Sequence, residues 1–122
     1  MLPAFWPEPE QAGERFAEMA GQNDLLFLEN WSLDYSAHRE PERLAERFTE
    51  LDRFVRGWLE AAPEATLLLT ADHGNAEEPW HTAHTQNPVP LLVLGPGAAT
   101  VPAMASLLDV APWVREVLDA ER

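Results

Sequence analysis

The apolar positions of this chain change rhythm several times, and each rhythm predicts an element. The opening up to Glu10 is broken by prolines and reads as irregular; from there Phe16, Met19 and Ala20 recur at helical spacing, which predicts a short helix stopping at Gly21. After Asn23 and Asp24 the run "LLFLENW" is apolar without alternation, the pattern of a strand covered on both faces in a parallel sheet. Leu44, Phe48, Leu51, Val55 and Trp58 then form a single stripe. They predict a long helix from Pro41 to Ala61, with a proline in its first turn and Pro63 ending it. "ATLLLTA", with Thr66 to Leu69 as its body, and "VPLLVLG", closed by Gly95, Pro96 and Gly97, predict two more buried strands. "SLLDVAPWVREVLDAER" predicts a last helix with Val110, Trp113, Val114 and Val117 inward.

The resulting order is helix, strand, helix, strand, strand, helix. It predicts one α/β domain over residues 1–122 with a mainly parallel sheet, a layered architecture whose ligands bind outside the carboxyl ends of the strands. Composition narrows the chemistry. At 46% hydrophobic and 122 residues the chain can bury a core of its own. With 21 acidic residues against 8 basic ones, the formal charge of −13 repels phosphate backbones and anionic lipid, which argues against nucleic-acid and membrane partners. Every basic residue is Arg, so Schiff-base chemistry and a phosphate-loop lysine are excluded. No cysteine is present, which excludes disulfides, thiolate metal sites and a thiol nucleophile. The first ten residues lack the basic start of a secretory leader, and no apolar run approaches the ~18 residues of a membrane span. The expected location is cytoplasmic.

Any metal must therefore sit on histidines and carboxylates. The four histidines, His38, His73, His81 and His84, all follow predicted strands, with Asp34 four residues before His38 and Asp72 beside His73. Asp34 and His38 share a face if the chain turns helical there. Asp72 and His73 would point apart on a straight strand, and Gly74 and Asn75 supply the loop that brings them together. His81 and His84, three apart, can fall on one side of a turn. Spacing leaves two readings: a mixed imidazole and carboxylate site suited to zinc or manganese, or a set of solvated loop residues.

The strings "TADHGNAEE" and "HTAHTQNPVPLLVLG" resemble the C-terminal metal-binding segment of cofactor-independent phosphoglycerate mutases and the surrounding alkaline-phosphatase superfamily. Asp34 and His38 resemble that family's Asp-x-x-x-His element, with Ala37 where a glycine is usual and Arg39 after the histidine. The resemblance runs from about Asp24 to Leu118. It implies the C-terminal part of a three-layer α/β metalloenzyme domain, with phosphoryl transfer on a phosphorylated small molecule. It further implies that Asp34, His38 and His84 hold one divalent ion, manganese or zinc, and that Asp72 and His73 contribute to a second. His81 is implied as a supporting or substrate-facing group. The family's nucleophilic Ser or Thr, and a further Asp, have no counterpart here.

Ser32, Ser36 and Thr70 are the nearby hydroxyls, and all three fit turn or capping roles better than that of nucleophile. Glu77, Glu78 and Trp80 read as solvated loop residues, Trp58 and Trp113 as core. Glu40, Glu42, Glu46 and Glu50 interleave with Arg39, Arg43 and Arg47 as a solvated, ion-paired face. Two functions follow: the metal-binding part of a phosphomutase-like or phosphatase-like enzyme, or a stand-alone metal-binding or interaction module without catalysis. In either, self-association or a separate chain is expected to complete the sheet.

Overall fold

The computed structural model describes residues 8–61 and 64–120. Helix α1 (Pro9–Ala20) starts with proline in its first turn, and the backbone N–H of Gly21 closes it on the Ala17 carbonyl at 3.1 Å. Helix α2 (Trp31–Arg39) follows a segment without regular structure. Its cap is Asn30, whose side-chain oxygen accepts from the Leu33 N–H at 3.3 Å and from the Ser32 hydroxyl at 2.7 Å. After a 3-10 turn at Pro41–Arg43 comes α3 (Leu44–Ala61). The long helix thus runs where the stripe predicts, while Pro63 lies outside the described residues. Strands β1 (Leu67–Thr70) and β2 (Leu91–Leu94) flank a long loop, and α4 (Val110–Ala120) closes the chain behind a capping box of Ser106 and Asp109.

Two expectations need correcting. The run after Asn23 and Asp24 is not a strand: residues 25–30 join no ladder, Phe27 is 84% exposed, and Trp31 already belongs to α2. A strand exists only with a pairing partner, and among the described residues none lies beside it. The sheet itself is antiparallel, pairing Leu67 with Leu94, Leu68 with Val93, Leu69 with Leu92 and Thr70 with Leu91. Continuous apolar runs report burial on two faces and say nothing of strand direction, so the predicted parallel arrangement is not what this pair shows. The α/β composition stands.

The core is built mainly by α1 and α3. Ala17, Phe54 and Trp58 are buried, and the Phe16 and Phe54 rings pack at 5.8 Å. Phe48, placed on the predicted stripe, is exposed. The two helices approach through glycines: a Cβ on Gly57 would lie 2.9 Å from the Glu10 Cα, and one on Gly13 would lie 2.8 Å from the Trp58 nitrogen. Arg53 spans the same contact, bonding Glu10 at 2.6 Å and Glu8 at 3.2 Å. Helix α2 docks on α3 through Ser36, fully buried, whose hydroxyl accepts from Arg47 at 3.3 Å. That contact turns the opposite face of α2, carrying Asp34 and His38, toward the long loop. Trp113, also buried, ties α4 to the segment after β2 by donating to Thr100 at 3.4 Å.

Alanine favours a free helix over glycine by about 1 kcal/mol, so Gly57→Ala would stabilise an isolated α3. Here the added methyl meets backbone that cannot yield as a side-chain tip can. The expected outcome is a net loss of about 1–3 kcal/mol in urea unfolding, and a gain would show that the helices do not pack this closely.

Candidate metal centre

Three segments converge at the end of the two-stranded sheet. Helix α2 brings Asp34 and His38 on successive turns, the exit of β1 brings His73, and the loop before β2 brings His84. Ligand-type atoms of these four residues all lie within 4.8 Å of one another. The Asp34 Oδ1 atom faces His38 Nε2 at 3.4 Å and His73 Nε2 at 3.3 Å. These separations exceed the usual N–H···O distance of about 2.9–3.0 Å. They match the edge of a tetrahedron of donors at zinc-type bond lengths, about 3.3–3.4 Å. The His73 and His84 rings stack at 3.5 Å with planes 12° apart, and the His38 and His84 rings lie 5.1 Å apart.

The far sides of two of the three imidazoles, those of His38 and His73, are held by backbone. His38 Nδ1 donates to the Thr82 carbonyl at 2.9 Å, and His73 Nδ1 donates to the Gly74 carbonyl at 3.3 Å. A carbonyl can only accept, so the proton of each neutral ring sits on Nδ1 and the lone pair on Nε2 faces Asp34. Metal-binding histidines are oriented in this way. The Asn75 side-chain amide lies 3.1 Å from His38 Nδ1, and with the proton there it meets the ring through its oxygen, the amide orientation that also gives its otherwise unpartnered Oδ1 a donor. The donor set and its support therefore fit a divalent ion.

His81 lies outside the group of four, and Asp72 touches it only at His73. Asp72 is 90% exposed, with its Oδ1 3.5 Å from His73 Nε2. His81 is exposed and donates from Nδ1 to the Ala83 carbonyl at 2.9 Å. The hydroxyls are occupied by structure: Ser36 is buried against Arg47, Ser32 donates to Asn30, and Thr70 donates to the Pro90 carbonyl at 2.8 Å.

Sequence reasoning missed the residue that shapes the loop. Glu77, read as a solvated side chain, is exposed yet accepts from the Asn75 N–H at 2.8 Å, the Thr85 hydroxyl and the Asn87 amide at 3.1 Å. Thr85 also donates its N–H to the Gly74 carbonyl at 2.9 Å, closing a loop with His84 at its rim. The available signal was a carboxylate two residues after an Asn-containing turn, where backbone donors are free. These bonds hold the Glu77 carboxyl down from 4.5 to about 2, the Thr85 hydroxyl acting most strongly and the backbone amides and Asn87 adding to it.

A carboxyl lowered in the folded chain contributes stability that is full above about pH 4.5 and lost as pH falls toward about 2. Thermal melting across that window should show a shallower acid slope for Glu77→Gln than for the parent. The variant should be the less stable of the two at neutral pH. Parallel slopes would mean that the carboxylate does not carry the loop.

Comparison with known proteins points to a metalloenzyme family. A family model described as the Metalloenzyme superfamily matches residues 10–121. Several curated relatives are 2,3-bisphosphoglycerate-independent phosphoglycerate mutases. That of Gloeobacter violaceus is 31% identical over 97% of the chain and 26% of its own length; that of Vibrio parahaemolyticus is 35% identical over 93% and 26%. That of Legionella pneumophila strain Corby is 53% identical over a shorter stretch, 43% of the chain and 12% of the relative. The chain thus spans about a quarter or less of the length of these relatives. No solved structure matches it. The resemblance seen in the motifs is borne out, and with the family profile running from α1 through α4, this chain belongs to the metalloenzyme superfamily.

Proposed function

We propose that the chain is the metal-binding part of a phosphoglycerate-mutase-like or phosphatase-like enzyme, in which Asp34, His38, His73 and His84 hold one divalent ion, zinc or manganese. The observation that carries this reading is the shared Asp34 oxygen at 3.4 and 3.3 Å from two imidazole nitrogens whose other nitrogens are tied to backbone carbonyls. A bound ion would supply Lewis acidity to a phosphoryl oxygen. The chain's own groups do the rest: Asp34 offsets charge, the Thr82 and Gly74 carbonyls fix the ring orientations, and Glu77 keeps the His84 loop closed. Asp72, beside His73, is the natural start of a second site completed by groups that the described residues do not provide. His81 faces solvent near the rim, where it can meet substrate.

The hydroxyls of Ser32, Ser36 and Thr70 are each engaged in a structural hydrogen bond, which favours binding over turnover by these three groups. In this reading the enzyme's nucleophile and remaining sheet strands come from outside the described residues, in a three-layer arrangement completed by another chain or further copies. The bare apolar positions of β2, Leu91 and Leu92, support that completion.

Titration of the purified chain with zinc or manganese in a calorimeter should give about one tight ion per chain, with Tm rising by mass action. His84→Ala, a change at an exposed residue, should weaken the affinity by about a hundredfold or more and leave the apo fold intact. Two equally tight ions, or an unchanged affinity in that variant, would overturn the assignment. Because imidazole binds metal only when neutral, the metal-induced rise in Tm should shrink in acid.

A further inference from the structure

An open groove of about 660 Å³ runs along α2 beside the four clustered residues. Trp31, Asp34, Tyr35 and His38 recur at i, i+3, i+4 and i+7, so one helix face lines it with two aromatic rings and two of the proposed ligands. Arg39 and Thr82 complete the wall. The opposite face of the helix is settled by Ser36 and Ala37, both buried, so this face is not needed to hold α2 in place.

Two features of the groove have no structural use within the described residues. Trp31 is 65% exposed and Tyr35 38% exposed, one turn apart, although large rings contribute most to folding when they are covered. Arg43, Arg47, Arg53 and Arg56 pair with carboxylates, whereas Arg39, like Arg15 and Arg115, makes no hydrogen bond or ion pair among the described residues, and of these three it is the one that lines the groove. A free guanidinium presents a fork of donors suited to a phosphoryl group. In a chain of net charge −13, its position next to the ligands gives an arriving anion a local cation to meet.

We propose that this groove is a substrate subsite for a phosphate monoester whose leaving group carries a planar ring. The phosphoryl end lies between the metal centre and Arg39, and the ring lies against Trp31 and Tyr35. The volume falls in the range of small-molecule sites, about 300–1,000 Å³. An aliphatic ester would use Arg39 and the metal but leave both rings in water, so the rings act on the choice of leaving group. This inference rests on the metal reading above.

The test is calorimetric binding of phenyl phosphate and of glycerol 2-phosphate to the manganese-saturated chain. Phenyl phosphate should bind about tenfold more tightly. Trp31→Ala, exposed and therefore expected to keep the fold by circular dichroism, should abolish that preference and leave glycerol 2-phosphate affinity unchanged. Arg39→Gln should weaken both esters by a similar factor of about ten. Equal affinities in the parent, no ester binding, a preference that survives Trp31→Ala, or full affinity in Arg39→Gln would each overturn the subsite while leaving the metal site standing. Failure to bind manganese or zinc at all would overturn both.

Discussion

One hydrogen bond, from His38 Nδ1 to the carbonyl of Thr82 at 2.9 Å, joins two parts of the chain 44 residues apart and decides what the site can be. It anchors the long loop to α2, which α3 holds from the other side through Ser36 and Arg47. The same bond fixes the tautomer of His38. With the proton committed to the backbone, the remaining lone pair faces Asp34, and the cluster presents acceptors rather than donors to its centre. A helix-to-helix contact on the opposite face of α2 thus governs the cluster, because turning α2 on α3 would break this bond and move Asp34 and His38 together.

The surface shows how far the fold depends on what lies around it. Phe27, Leu108, Leu91 and Leu92 are exposed, and residues 25–30 join no ladder. Each of these segments is apolar enough to be buried in a larger sheet, and the matched mutases are about four times longer than this chain. The ligand cluster nevertheless assembles within the chain. Short local devices account for that: a helix cap at Asn30, the bridge between Gly74 and Thr85, and the carboxylate of Glu77.

Much of this was legible in the amino acids. The stripe from Leu44 to Trp58, the runs around Leu67 and Leu91, and the inward positions from Val110 to Val117 reported their elements because each is set by local periodicity. The metal-type residues were legible from their placement after apolar runs and from motifs specific enough to name a family. Strand direction was not, since pairing is a long-range property that apolar runs do not encode. Nor was the segment at Leu25, where the pattern states a need for burial that the chain alone does not meet. The roles of Asn75, Glu77 and the Thr82 carbonyl escaped for a related reason: a backbone acceptor leaves no trace in the sequence, and an exposed glutamate looks the same whether or not it gathers a loop. That His73 lies near Asp34 as well as beside Asp72 likewise follows from α2 facing the loop, which spacing could not show.

The central claim is that one ion sits on Asp34, His38, His73 and His84. Crystals of the chain grown with zinc and measured at the metal's absorption edge would locate it directly. The account predicts one strong anomalous peak within about 2.0–2.2 Å of the Asp34 carboxylate and of nitrogens from all three histidines. A principal peak bound instead through Asp72 or His81, with Asp34 and His38 left free, would contradict it.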